Sequence, residues 1–131
     1  MSDLFHESIP NEIIYRIFEV MNSANWHTFQ ILTKRSERLL TLSPKLKWTK
    51  NIWMGVTVEN TDALYRVAHL QKTGSKIKFI SAEPLISALT RIKLDGIDWL
   101  IVGGESGPGS RPMNEEWVLD LKNMAAENNV A

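Results

Sequence analysis

Four short apolar runs alternate with stretches of helical spacing, and this alternation constrains the fold more than any other feature. The runs span residues 28–32 (TFQIL), 52–58 (IWMGVTV), 77–81 (IKFIS) and 98–102 (DWLIV). They are rich in β-branched and aromatic residues and nearly continuously apolar, as strands of a buried parallel sheet are. Between and around them the period changes. Ile13, Ile14, Ile17, Phe18 and Met21 form a helical stripe opened by Pro10. Leu39, Leu40 and Leu42 predict a shorter helix that stops before Pro44. Leu64, Val67, Ala68 and Leu70 predict a helix starting at Asn60 or Thr61. Trp117, Val118, Leu121, Met124 and Ala125 predict one capped by Asn114. A further helical turn is expected around residues 86–89.

Strands alternating with helices imply an α/β fold with a parallel sheet. The expectation is a single domain over residues 1–131. In it a four-stranded parallel sheet forms a partial, half TIM-like barrel with flanking helices. Such a sheet has two edge strands that need covering. The first helix can shield one; self-association into a homodimer through exposed edges can cover both. The chain is expected to be cut at both ends, since another strand would normally follow the last helix.

Composition narrows the functional classes. Fifteen basic and fifteen acidic residues give zero formal net charge. A nucleic acid is therefore not expected as a general partner, because its phosphates call for a basic excess. No secretory leader and no apolar run of membrane-spanning length is visible, so no membrane partner and a cytoplasmic location are expected. There is no cysteine. Disulfides, thiolate nucleophiles and a cysteine-held iron–sulfur cluster are thereby excluded within this chain.

In a parallel sheet all strands end on one side, where α/β folds place their sites. Polar residues cluster there. Lys34 and Arg35 follow the first strand, Glu59 and Asn60 the second, Glu83 the third, and Gly103, Gly104, Glu105, Ser106 and Arg111 the fourth. Carboxylates Glu59, Glu83 and Glu105 from three strands are candidate ligands for a hard divalent cation. They can also bind an amine or hydroxyls, or act as acid and base. The same residues can instead form a closed ion-pair network that satisfies the top of the sheet. The glycines after the fourth strand let backbone approach a ligand closely, or form an awkward turn. Neither a Walker motif nor a dinucleotide fingerprint is present. Asp3 and His6 precede the first helix; His6 is a candidate ligand or proton carrier, or a polar loop residue. Trp26 and Trp48 sit in loop-like stretches and are candidates for a partner surface.

The strings SDLFHE, FQILTKR, IWMGVTVEN, FISAEPL and WLIVGGESGPGSRPM occur in that order. Together they resemble a phage- and plasmid-associated family of radical-SAM-like proteins of unknown function with a TIM-barrel-like fold. The resemblance runs from residue 1 to about residue 125. Full-length members carry a cysteine cluster upstream of SDLFHE, which this sequence lacks. The resemblance therefore implies the partial barrel and its pocket-facing positions, without the cluster chemistry. The Gly-Gly-Glu string is not the methionine-binding string of radical enzymes, which lies earlier in the barrel. No cofactor is expected, and S-adenosylmethionine binding does not carry over.

Three functional expectations follow. The first is a mobile-element accessory protein that binds a host protein, in its sharpest form a host-defence inhibitor such as an anti-CRISPR. The second is a ligand- or cation-binding enzyme using Glu59, Glu83 and Glu105. The third is a non-functional truncated copy. The absence of a cluster leans the reading away from catalysis by this chain alone.

Overall fold

The computed structural model describes residues 3–131. Its elements are α1 (Asn11–Ser23), β1 (Phe29–Thr33), α2 (Ser36–Leu42), β2 (Ile52–Thr57), α3 (Tyr65–Gln71), β3 (Ile77–Ala82), β4 (Trp99–Val102) and α4 (Glu115–Glu127). The four strands form one all-parallel sheet in the order β1-β2-β3-β4. The sheet is open and does not close into a barrel, so β1 and β4 are its edges.

Strand alternation separates two faces. Ile52, Met54 and Val56 of β2, Ile80 and Ala82 of β3, and Leu100 and Val102 of β4 point to one side. They join the main core with Ile14, Phe18 and Met21 of α1, Leu39 and Leu42 of α2, Val67 and Leu70 of α3, and Leu121 and Ala125 of α4. All four helices thus pack on the same face. The register stacks Leu32, Gly55, Phe79 and Trp99 across the other face. Phe79 and Trp53 both approach Trp99 there, at 5.7 Å and 6.2 Å between ring centroids. A Cβ on Gly55 would lie 2.4 Å from the Phe79 ring, so only glycine leaves room for that ring at this position.

The helices follow from local pattern. α1 buries Ile14, Phe18 and Met21 but leaves Ile13 largely exposed. In α4, the Asn114 Oδ1 accepts from the Glu116 N–H at 2.9 Å, and Glu115 and Glu116 favour the positive end of the helix dipole. α2 stops at Leu42, before Pro44 as expected, and a 3₁₀ turn at Ser43–Lys45 follows it. One boundary differs from expectation: a 3₁₀ turn at Thr61–Ala63 precedes α3, which begins only at Tyr65.

The helical turn expected around residues 86–89 does not form. The segment's first backbone donors tie it in extended form to neighbouring strand ends. The Leu85 N–H bonds the Gly103 carbonyl at 2.8 Å, and the Ile86 N–H bonds the Glu59 carbonyl at 3.0 Å. The β3–β4 crossover is instead an irregular segment that buries Leu85, Leu89, Ile92, Leu94 and Ile97 in the core. Gln71 holds it from α3 through the Lys93 and Asp95 carbonyls. Among the described residues, no helix is long and apolar enough to cross a membrane.

Candidate functional site

The first strand end is clamped by the segment before α1. The Asp3 carboxylate accepts from Thr33 Oγ1 at 2.7 Å, the Phe5 N–H at 2.9 Å, the Lys34 N–H at 3.1 Å and Arg35 Nη1 at 3.2 Å. Burial pushes the Asp3 carboxyl up, but these four donors outweigh it and hold it below its ordinary value. Arg35 also donates through Nε to Glu7 at 2.9 Å. Arg38, one turn into α2, reaches the carbonyls of His6 and Ile9. His6 turns its Nδ1 to Ser8, 2.7 Å away within its own loop. The Asp3 and Arg35 side chains therefore fasten this segment to β1 and α2.

Glu59, just beyond β2, lies 2.5 Å from Lys34 Nζ and 3.0 Å from Arg66 Nη1. Arg66 Nη1 also donates to the Thr57 carbonyl at 2.7 Å. Burial raises the Glu59 pKa, the Lys34 hydrogen bond and the Arg66 charge lower it, and the net result lies below its usual range. Sequence reasoning missed Arg66. The signal was present in the βα order: α3 starts at the end of the sheet where β2 stops, so a base in its first turn meets Glu59.

Glu105 and Arg111 close the loop after β4. Arg111 donates from its backbone N–H at 2.8 Å, from Nε at 2.9 Å and from Nη2 at 2.7 Å. These bonds, the guanidinium's first, hold the Glu105 carboxyl down to about 2. Gly107 and Gly109 have φ of +100° and +76°, a region that only glycine enters cheaply, so the glycines serve the turn itself. Glu83 behaves differently. It is exposed and forms no ion pair among the described residues. Its carboxyl lies over Gly103, where a Cβ would sit 2.9 Å from Oε1.

Lys34, Glu59, Asn60, Arg66, Glu105 and Arg111 line a trough of about 570 Å³ at the strand ends. Glu83, Gly103, Gly104 and Ser106 do not line it, and Asp3 and His6 sit to one side. Glu59, Glu83 and Glu105 do not converge. Among the described residues, no group of three or more histidine and carboxylate side chains is placed to hold a metal ion. Two of the three glutamates are spent on bases of the same layer, which is what a charge network closing the sheet top requires.

Residues 1–131 match the profile of a family described as "Protein of unknown function (DUF5131)". The chain belongs to this family. No curated protein matches it, and neither does any solved structure.

The tryptophans separate cleanly. Trp26 is 75% exposed, beside His27. Trp48 is half-buried and packs against the core. Its ring meets Phe18 edge-on at 5.0 Å, its Nε1 donates to the Ser43 carbonyl at 3.2 Å, and a Cβ on Gly74 would be 2.7 Å from it. Its loop folds back against α1, which sequence spacing does not reveal.

Proposed function

We propose that this chain works as a protein-binding module, contacting its partner through the sheet face that carries no helix. The observation that carries the reading is the row Leu32, Trp53, Phe79, Trp99 and Ile101, to which none of the four helices contributes a core residue. Leu32 is exposed, and Trp53, Trp99 and Ile101 are only half-buried, while Phe79 itself is buried. Aromatic side chains partly open to solvent are the usual anchors of protein contacts. The closed pairing of Glu59 and Glu105 supports binding over catalysis, because both carboxylates already have strong partners.

The radical-enzyme-like and phage-type parts of the sequence resemblance belong to this proposal. Consecutive parallel strands with helices on one face are the order a segment of such a barrel would have. The phage-type motifs direct the reading to a host protein, a component of a defence system in its sharpest form.

The test is co-purification from the natural background with single variants. Leu32→Asp and Trp53→Arg should lose a partner that wild type holds, with circular dichroism unchanged, while Glu59→Gln should keep it. A partner kept by both face variants, or a retained small molecule released only by Glu59→Gln, would overturn the reading in favour of the trough.

A further inference from the structure

The side chains lining the trough at the strand ends leave more hydrogen-bond donors than acceptors unused. Its two paired carboxylates are fully engaged. Glu59 takes Lys34 Nζ on Oε1 and Arg66 Nη1 on Oε2. Glu105 takes the Arg111 N–H and Nε on Oε2 and Nη2 on Oε1. The bases are not exhausted by these bonds, because an ammonium carries three protons and a guanidinium five. Lys34 Nζ keeps protons beyond its Glu59 contact, and its side chain is half exposed. Arg111 keeps its Nη1 on a side chain that is more than half exposed.

Arg66 gives a second, independent indication. Arg111 grips Glu105 with the guanidinium edge made of Nε and Nη2. The same edge of Arg66 is unpaired: both its bonds leave from Nη1, and its Nε is buried without a partner among the described residues. A buried donor left unpaired marks a place where an ion or a water belongs. Asp62 is the lining carboxylate with no ion pair among the described residues, and it is exposed. A cation entering the trough would have to displace a base from Glu59 or Glu105, whereas an oxyanion accepts from donors that are free. The trough, about 570 Å³, is in the range of small-molecule sites and far larger than one carboxylate or phosphate. The anionic group is therefore one end of a larger molecule, whose body lies beside Tyr65, Pro84 and Ile86.

We propose that the trough binds a small organic anion, whose carboxylate or phosphate end accepts from Lys34, Arg66 and Arg111. Glu59 and Glu105 hold these bases in place and do not touch the ligand; they compete with it for the same positive charge. This fixes a sign. In a site built on carboxylates, neutralising Glu59 releases the ligand. Here it tightens the binding. The proposal goes beyond the protein-binding reading and does not rest on it.

The probes are inorganic phosphate and acetate, titrated at low ionic strength into the full ¹⁵N-labelled chain, with the Nε–H resonances of Arg66 and Arg111 followed by NMR. Sodium chloride at matched ionic strength is the control. Saturable shifts with phosphate or acetate, absent with chloride, are expected, and the tighter of the two identifies the anionic group. Arg111→Gln should weaken binding about tenfold, the worth of one charge-assisted bond. Glu59→Gln and Glu105→Gln should each tighten it about fivefold, the worth of one unit charge about 4 Å away in water. Glu105→Gln, in an exposed loop, decides the sign if Glu59→Gln fails to fold. No saturable shift with either anion, equal shifts with chloride, undiminished binding in Arg111→Gln, or weaker binding in Glu105→Gln would each overturn the proposal. Capture of a partner on the helix-free face can succeed or fail without changing any of these shifts.

Discussion

Replacing Glu59 by glutamine separates a structural charge network from a ligand site. The substitution keeps size and removes charge. Lys34, half exposed, can relax into water, so its loss is small. Arg66 cannot relax so easily. Its side chain is 16% exposed, its Nη1 would keep the Thr57 carbonyl but face at best a neutral amide oxygen in place of a carboxylate, and its buried Nε already has no partner. Removing one member of a buried pair costs about 3–5 kcal/mol and of an exposed pair below about 1 kcal/mol. The Glu59–Arg66 pair lies nearer the buried limit, and a charge-assisted bond is worth about 1.5–3 kcal/mol, so the expected loss is about 2 kcal/mol. With about 2.1 cal/mol/K per residue over 131 residues, the unfolding entropy is about 275 cal/mol/K. The melting temperature should then fall by about 7 °C.

The sign with pH is also set. The folded-state pKa of Glu59 lies below its ordinary 4.5. Its contribution is therefore present above about pH 4.5 and is lost as pH falls through the folded value. Denaturant unfolding of wild type and Glu59→Gln should differ by about 2 kcal/mol at pH 7 and converge toward acid. A loss that is equal at both ends of the pH range would refute the charge argument. A gain in stability at pH 7 would mean that Glu59 is held at a strained site and would revive the trough as a functional centre.

Gly55→Ala should destabilise by about 0.5–2 kcal/mol, as overpacking against Phe79 outweighs the ordinary preference for alanine in a strand. In a Phe79→Ala background the same change should become neutral or stabilising; a double-mutant cycle by thermal unfolding checks this. Trp48→Ala should cost about 1–3 kcal/mol at its half-buried, packed position, whereas Trp26→Ala should stay within about 0.5 kcal/mol. The Glu105–Arg111 contact should persist through pH 4 and open only as pH approaches about 2, followed by the Arg111 amide resonance. Opening near pH 4.5 would show that Arg111 does not hold the carboxylate.

Much of the framework is written in local pattern. The apolar runs ending near Thr33, Thr57, Ala82 and Val102 and the stripe of Ile14, Phe18 and Met21 appear where their periodicity puts them. Alternation of these elements was enough to make the sheet parallel and to bring Lys34, Glu59, Glu105 and Arg111 to one end of it. The Asn114 cap was equally legible, because a cap is a contact over two residues. What only tertiary structure decided are contacts between distant positions. Residues 86–89 form no helical turn, and the Leu85 and Ile86 donors instead tie the segment to the carbonyls of Gly103 and Glu59. Trp48 is packed because its loop returns to α1 and to Gly74. Glu59 and Glu105 became ion pairs rather than part of a convergent site because Arg66 and Arg111 reached them first, while Glu83 stays apart. Periodicity reports which side of an element is apolar. It carries no information about which partner a long charged side chain will meet, because that depends on how the separate elements are placed in space.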